Sequence, residues 1–385
     1  MIVNYVILTV LAIGVGSYIG CAEVKFSANS SCEGLSSGKC VVGPDGMLSV
    51  SDVVIVSGGK VDILIIDDNS ASMSFEQNAL ADRFSNFVNL LESKSIDYRL
   101  GITTTDISSA TNPPRSVNQN GALQDGKLIG LDGGFKFVTP QTGDSALRNK
   151  IFNAAIRRSE TLECEKFILS WVDAGNSTTT PEYNAAYSEH CPSQDERGLY
   201  AANLVLKNNV DSFIRPEADL AVIVLSDEDV RSQLYWYKTP GYDLEEFDTA
   251  QGFINNVKSV YPDKKFAVHA FLTKTEACLN IQDAQTRGVV GASYGIEYYK
   301  ATQLTGGVAG SICSNNFTSQ LSEIFDNITA NIVDKIGLHC ANPIDLIVDS
   351  GGNNYTVVGN QIQFAQKLPV GASVRFSYKC PAKVN

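Results

Sequence analysis

The hydrophobic positions of this chain fall into two alternating rhythms. Apolar runs occur at Val61–Ile66, broken only by Asp62, at Leu220–Leu225, and at Phe266–Leu272, broken only by His269. Runs of that length without polar alternation read as strands buried on both faces. Between them, apolar residues recur three and four apart. Leu80, Phe84, Phe87, Val88 and Leu91 share one helical face, as do Leu147, Ile151, Ala155 and Ile156 within Asp144–Ser159. Further helices are predicted over Glu196–Asn208, Phe247–Val260, Tyr294–Leu304 and Phe317–Ile336, the last lined by Leu321, Ile324, Phe325, Ile328, Ile332 and Ile336. Val53–Val56, Tyr98–Asp106 and Phe167–Val172 read as additional strands, and Lys127–Phe137 as a small hairpin. Ile107–Asn120 and Asp173–Asp195 read as polar loops.

Strand and helix patterns that alternate in this way predict an α/β fold, a doubly wound and mostly parallel sheet covered on both faces. After Cys340 the rhythm changes. Ile344–Val348, Tyr355–Val358, Gln361–Phe364 and Ser373–Tyr378 read as short strands, with turns at Gly351-Gly352 and Gly359-Asn360. Residues 339–385 therefore read as a small all-β, sandwich-like module, too small to be stable far from the main domain.

The first twenty residues are apolar and end in Tyr18-Ile19-Gly20-Cys21. This resembles a bacterial lipoprotein signal, which implies cleavage before Cys21 and its lipidation. No Lys or Arg precedes the run, and Tyr18 stands where such signals carry an aliphatic residue; the alternative is an uncleaved anchor helix, short for a membrane span. Ala22 in place of Asp points to the outer membrane. Residues 22–57 then read as a tether and an extra strand leading into the core. Nine cysteines less Cys21 leave an even set, which in an exported chain reads as disulfides. Proximity suggests Cys32–Cys40, Cys164–Cys191, Cys278–Cys313 and Cys340–Cys380.

Two of the buried strands end in acid. The first runs into Asp68-Asn69-Ser70-Ala71-Ser72, and the second into Ser226-Asp227. A carboxylate and two hydroxyls in a strand-to-helix turn offer hard oxygens to Mg²⁺, or to Mn²⁺ or Ca²⁺. By itself the turn has a second reading, with Ser72 as a helix cap. In an open α/β sheet, however, ligands bind at the carboxyl ends of the strands. Asp-x-Ser-x-Ser at Asp68, Ser70 and Ser72, the later Asp227, and the helix-to-Thr305-Gly306-Gly307 ending together resemble the von Willebrand factor A domain family. The resemblance spans about residues 58–338 and implies a divalent-cation-dependent adhesion site. The family adds a Thr, and at that place this chain has Glu196. Glu196 would bind the cation directly, or Ser193 would fill the role, or Glu196 would simply begin a helix favourably.

Loops after the strands should emerge on the same edge. One carries Tyr235-Trp236-Tyr237, an aromatic cluster suited to partner recognition. The net charge of −12 disfavours nucleic acid. Gly291-Ala292-Ser293-Tyr294-Gly295 spells a hydrolase string, but only Val289-Val290 precede it as strand, and glycine and serine are abundant. The chain therefore reads as a non-enzymatic, exported, lipid-anchored binding protein of the cell envelope with a protein or surface ligand. An envelope scaffold with a structural or empty site is the alternative, and a hydrolase a distant third.

Overall fold

The computed structural model describes residues 39–381, apart from 56–58, 108–123, 193–194, 286–290, 331–334, 341, 353, 367 and 369–371. The expected signal segment, the lipidation site Cys21, Cys32 of the pair Cys32–Cys40, and Ser193 lie outside the described residues.

Strands β1 (Cys40–Val42) and β2 (Leu48–Ile55) open the described chain as an antiparallel pair. Next comes β3 (Lys60–Asp67), and a short 3-10 turn, Ala71–Met73, leads into helix α1 (Ser74–Ser93). After β4 (Asp97–Thr104) stand α2 (Ser145–Ile156), α3 (Ser159–Asp173), α4 (Pro181–His190) and α5 (Gly198–Asn208). Then follow β5 (Asp219–Leu225), α6 (Ala250–Val260), β6 (Phe266–Leu272), α7 (Glu276–Gln285) and α8 (Ile296–Thr305). Strand β7 (Ala309–Ser311) and α9 (Phe317–Ala330) complete the α/β part. The remaining strands are β8 (Lys335–Gly337), β9 (Ile344–Asp349), β10 (Tyr355–Val358), β11 (Gln361–Phe364) and β12 (Ser373–Cys380).

Five strands form one parallel sheet in the order β4-β3-β5-β6-β7. Helices cover both of its faces, so the doubly wound α/β fold is as the alternating pattern implies. Strand β3 shows why its sequence carries no alternation. Val61, Ile63 and Ile65 enter one core with Phe84, Phe87, Phe152 and Ile324. Leu64 and Ile66 enter the other with Leu199, Phe213, Phe253 and Tyr298. Each such side chain contributes roughly 1.5–3 kcal/mol on burial. Asp62, the polar break in the run, is neutralised by Arg215, whose Nε and backbone N–H donate to it at 2.8 and 2.6 Å.

Several local expectations are revised. Phe167–Val172 is not a strand but part of α3. Its buried residues, Thr161, Cys164 and Ile168, sit three and four apart, a helical spacing that the short apolar triplet at Phe167 obscured. The polar segment after it contains α4, with Pro181 at its first turn and the Thr180 side chain accepting the Tyr183 N–H. Lys127–Phe137 forms no hairpin of its own. Instead Ile129 donates to Ile102, and Val138 exchanges both hydrogen bonds with Leu100, which covers the open edge of β4. Helix α9 ends at Ala330, and Ile336 pairs in β8 with β11. Its spacing continues the helical stripe, but its side chain is buried in the β core instead. Strand β2 does not lead into the parallel sheet. It pairs along its whole length with β12, in a sheet ordered β1-β2-β12-β9. The small β part is thus built from both ends of the described chain, which spares its strands from forming a core alone.

Among the described residues three disulfides are formed as proximity suggested: Cys164–Cys191, Cys278–Cys313 and Cys340–Cys380. They mark a chain of an oxidising, exported environment. Among the described residues no helix is long and apolar enough to cross a membrane.

Helix α8 stops at Gly306, which adopts the left-handed conformation at φ 69°. The next residue, Gly307, has a different constraint: a Cβ there would lie 1.9 Å from the Val268 carbonyl oxygen of β6. Gly307→Ala is expected to cost roughly 1–3 kcal/mol by overpacking. Urea unfolding would show this as a lower midpoint; an unchanged midpoint would contradict the tight helix-to-sheet approach.

Candidate metal centre

The turn after β3 is shaped by its own side chains and by β5. The backbone N–H of Asp68 donates to the Leu225 carbonyl at 3.0 Å, extending the parallel ladder by one residue. The Asp68 side chain then accepts the Ser70 N–H at 2.9 Å, an Asx-type turn that bends the chain away from the sheet. Its other oxygen accepts Ser226 Oγ at 2.6 Å, from just beyond β5. Ser70 Oγ and Ser72 Oγ lie 3.1 Å apart, and Ser72 Oγ donates to Asp227 Oδ1 at 3.1 Å. Ser72 and Asp227 are 155 residues apart in sequence. Asp68, Ser70, Ser72 and Asp227 therefore meet at the carboxyl ends of neighbouring parallel strands, all buried. The capping reading of Ser72 loses its basis, since no side-chain cap bond is made at either helical start.

Asp67 and Asp68 separate as neighbours on a strand should. Asp67 faces Gln77 of α1, while Asp68 faces Ser226.

Glu196 sits in the turn before α5, 3% exposed. It is hydrogen-bonded to Glu228 and accepts Ser232 Oγ at 3.3 Å. Glu196 thus joins the acid cluster, with Glu228 as a member that sequence reasoning missed. The signal for Glu228 was present, since it directly follows the Asp that ends β5. Among the described residues no group of three or more His, Cys, Asp or Glu side chains is placed to hold a metal ion together. The oxygens that could hold a cation here are the two carboxylates of Asp68 and Asp227 with the hydroxyls of Ser70 and Ser72. Such a set matches Mg²⁺, which binds through one or two carboxylates and keeps several waters. Asp227 Oδ2 has no hydrogen-bond partner although it is fully buried.

The cluster is strongly electronegative. Burial pushes the Asp227 and Glu196 carboxyls far above the usual range, and the neighbouring acids push in the same direction. Burial also raises Asp68, against the pull of its hydrogen bonds from Ser226 and Ser70. Glu228 is raised to about 7, again chiefly by burial. The arginines beside Glu196 do not relieve this. Arg197 is held by Asp248 through two bonds of 2.8 and 2.7 Å, and Arg231 by Asp195 through bonds of 3.1 and 3.0 Å. Among the described residues no Lys or Arg forms an ion pair with Asp68, Glu196, Asp227 or Glu228.

Arg231 also folds the aromatic loop. Its guanidinium donates to the carbonyls of Asp243 and Gly241 at 2.6 and 3.1 Å, closing the loop that begins after Asp229. Arg231, Ser232 and Gln233 all hold positive φ, at 56, 50 and 56°. Three such residues in succession cost free energy that these bonds offset. The loop divides the predicted aromatic cluster. Tyr235 turns inward, its hydroxyl donating to Asp229 Oδ2 at 2.7 Å. Trp236 and Tyr237 remain 61% and 70% exposed.

A second feature was not anticipated. The α3–α4 hairpin, joined by Cys164–Cys191, packs on the turn itself: Ala71 sits against Cys164, Ile168 and Cys191. Thr161 Oγ1 donates to the Asn69 carbonyl at 2.9 Å, and Ser74 Oγ donates to Glu165 at 2.7 Å. The hairpin thus clamps the acid-bearing turn from the side away from β5.

No protein-family model and no curated protein matches the chain. Solved structures of partial likeness include the pilus adhesin SpaC from Lactobacillus rhamnosus GG in its open conformation, at 13% identity and a TM-score of 0.36. That match covers 86% of this chain and 40% of the adhesin. Others are the TFIIH p34 N-terminal domain, at 12% identity over 70% of this chain and 97% of that one, TM-score 0.29. The human COPII-coat protein Sec24c matches at 11% identity over 86% of this chain and 46% of that one, TM-score 0.28.

A carboxyl whose folded pKa is raised binds more protons folded than unfolded, so its contribution to stability is lost as pH rises toward that pKa. Above pH ~6.5 an unfolded histidine is largely neutral, which leaves the acids as the titrating groups. In chelator, stability should therefore still be falling as pH rises from ~6.5 through about 7, the value to which Glu228 is raised. Glu228→Gln should flatten that slope. Urea midpoints across the range would test it, and a flat or rising profile for the unmodified chain would contradict the buried-acid arrangement.

Proposed function

We propose that this chain is a lipid-anchored binding protein of the cell envelope that presents a divalent-cation-dependent interaction face. The observation that carries this reading is the buried, unpartnered Asp227 Oδ2 within an acid cluster that no basic side chain among the described residues relieves. Asp68, Ser70, Ser72 and Asp227 would hold the ion, preferably Mg²⁺, with Mn²⁺ or Ca²⁺ as alternatives. When bound, the ion supplies a Lewis-acidic point to which an oxygen of a protein or surface ligand attaches. The von Willebrand factor A resemblance of the motif spacing supports the same reading. Trp236 and Tyr237, exposed on the loop after β5, would supply apolar contact area beside it. The anchor rests on the apolar segment before Cys21, and the three disulfides agree with export. The outer membrane is the proposed location.

A non-enzymatic role is favoured by what Ser293 does. In the Gly-x-Ser-x-Gly string, Ser293 Oγ accepts the Asp229 N–H at 2.9 Å, and Ser293 N–H donates to the Asp227 carbonyl at 3.0 Å. Both bonds tie the acid-bearing turn to the start of α8, and neither is that of a nucleophile beside a base.

The scaffold reading with a structural or empty site has one observation in its favour, the absence of a converged three-carboxylate group among the described residues. Calorimetry separates the two. Mg²⁺ should bind the full chain and at a hundredfold excess over Kd add about 2.7 kcal/mol of stability. Asp68→Ala should abolish both effects. Capture of an envelope partner should also require Mg²⁺ and be lost in Asp68→Ala. The absence of heat and of stabilisation with Mg²⁺, Mn²⁺ and Ca²⁺ would leave only the scaffold. If Trp236→Ala with Tyr237→Ala leaves partner affinity unchanged, the aromatic loop is not part of the face.

A further inference from the structure

A second site lies at the other end of the sheet, independent of the acid cluster. His269 stands in the middle of β6 and is fully buried. Its Nδ1 accepts the backbone N–H of Val308 at 3.1 Å. That bond fixes the neutral tautomer, so the ring proton sits on Nε2. Nε2 has no hydrogen-bond partner. A buried donor without an acceptor costs about 1–3 kcal/mol and calls for an explanation.

His269 lines a cavity of about 290 Å³ at the amino-terminal ends of β3, β5 and β6, with α9 along one side. Val61, Ala221, Phe266 and Ile328 supply apolar wall. Lys264 stands at its edge, but its ammonium is already committed, donating to the carbonyls of Arg215 and Ala218 at 2.6 Å each. No cation is therefore free to offset a buried carboxylate at the Lys264 edge. Burial also holds the imidazole neutral, its pKa lowered to about 4. Asp219, Lys265, Thr305 and Asn327 also line the cavity, and the neutral Nε2–H of His269 is a buried donor in its wall that has no partner.

We infer that this cavity binds a small, uncharged, mainly apolar molecule whose one carbonyl or ether oxygen accepts the His269 Nε2–H. A cavity of this size suits a compact ligand body, and the polar group sets its orientation.

Two aromatic probes of similar size test the inference on the full, disulfide-bonded chain labelled with ¹⁵N-histidine. Acetophenone carries the acceptor and ethylbenzene lacks it. Acetophenone should shift the His269 Nε2–H resonance and bind roughly tenfold more tightly than ethylbenzene. His269→Phe should erase the preference, and Ala221→Leu, which fills the cavity, should weaken both probes. Should either variant fail to fold, the discrimination in the unmodified chain alone decides. Equal binding of the two probes would overturn the inference. So would binding of neither, or a bound-water cross-peak at Nε2–H that persists under saturating acetophenone.

Discussion

A cluster of buried acids is the constraint around which this molecule is arranged. Asp68, Glu196, Asp227 and Glu228 are all withdrawn from water at one edge of the sheet, with no basic side chain among them. A lone buried carboxylate is expensive, and several together are tolerable only if they hold protons, hydrogen bonds or a cation. The surrounding chain supplies the hydrogen bonds. Ser70, Ser72, Ser226 and Ser232 all contact the cluster, and the turns that carry it are locked by backbone bonds to β5 and β6. Asp227 Oδ2 is buried without a hydrogen-bond partner, as are Asp67 Oδ2 at the end of β3 and Asn69 Oδ1 in the turn after it.

The arginines nearby do not offset these acids. Each is drawn to an acid outside the cluster, Arg197 to Asp248 and Arg231 to Asp195. Buried pairs of this kind set geometry more than they add stability. Arg231 shows the use: the same guanidinium that pairs with Asp195 also closes the loop that exposes Trp236 and Tyr237. Loop shape and cluster charge are therefore linked through one side chain. On the opposite flank the Cys164–Cys191 hairpin holds Ala71. The hairpin thus restrains the Asp68 turn on one flank, while the Arg231–Asp195 pair restrains the loop after β5 on the other.

Much of this was legible in the chain. The unalternating run of β3 announced burial on two faces, and its burial is nearly complete from Val61 onward. The ends of β3 and β5 announced a shared edge, because parallel strands with acid at their carboxyl ends must bring that acid together. Less legible were the α3–α4 hairpin and α7, where short apolar groups on polar helices leave weak periodicity. Ile336 illustrates a different limit. Its spacing suits both the helix before it and the strand it forms, and only pairing with β11 decides between them.

Local sequence thus determined which segments are strands buried on two faces, and which residues could bear the chemistry, because those depend on composition over a few neighbouring residues. Tertiary structure alone decided the rest. It joined β2 to β12 across the length of the chain, turned Tyr235 inward and left Trp236 outside, and placed Glu228 beside Glu196. It also left the Nε2–H of His269 facing a cavity rather than a partner. These outcomes depend on contacts between residues far apart in sequence, and no local pattern encodes the sum of such contacts.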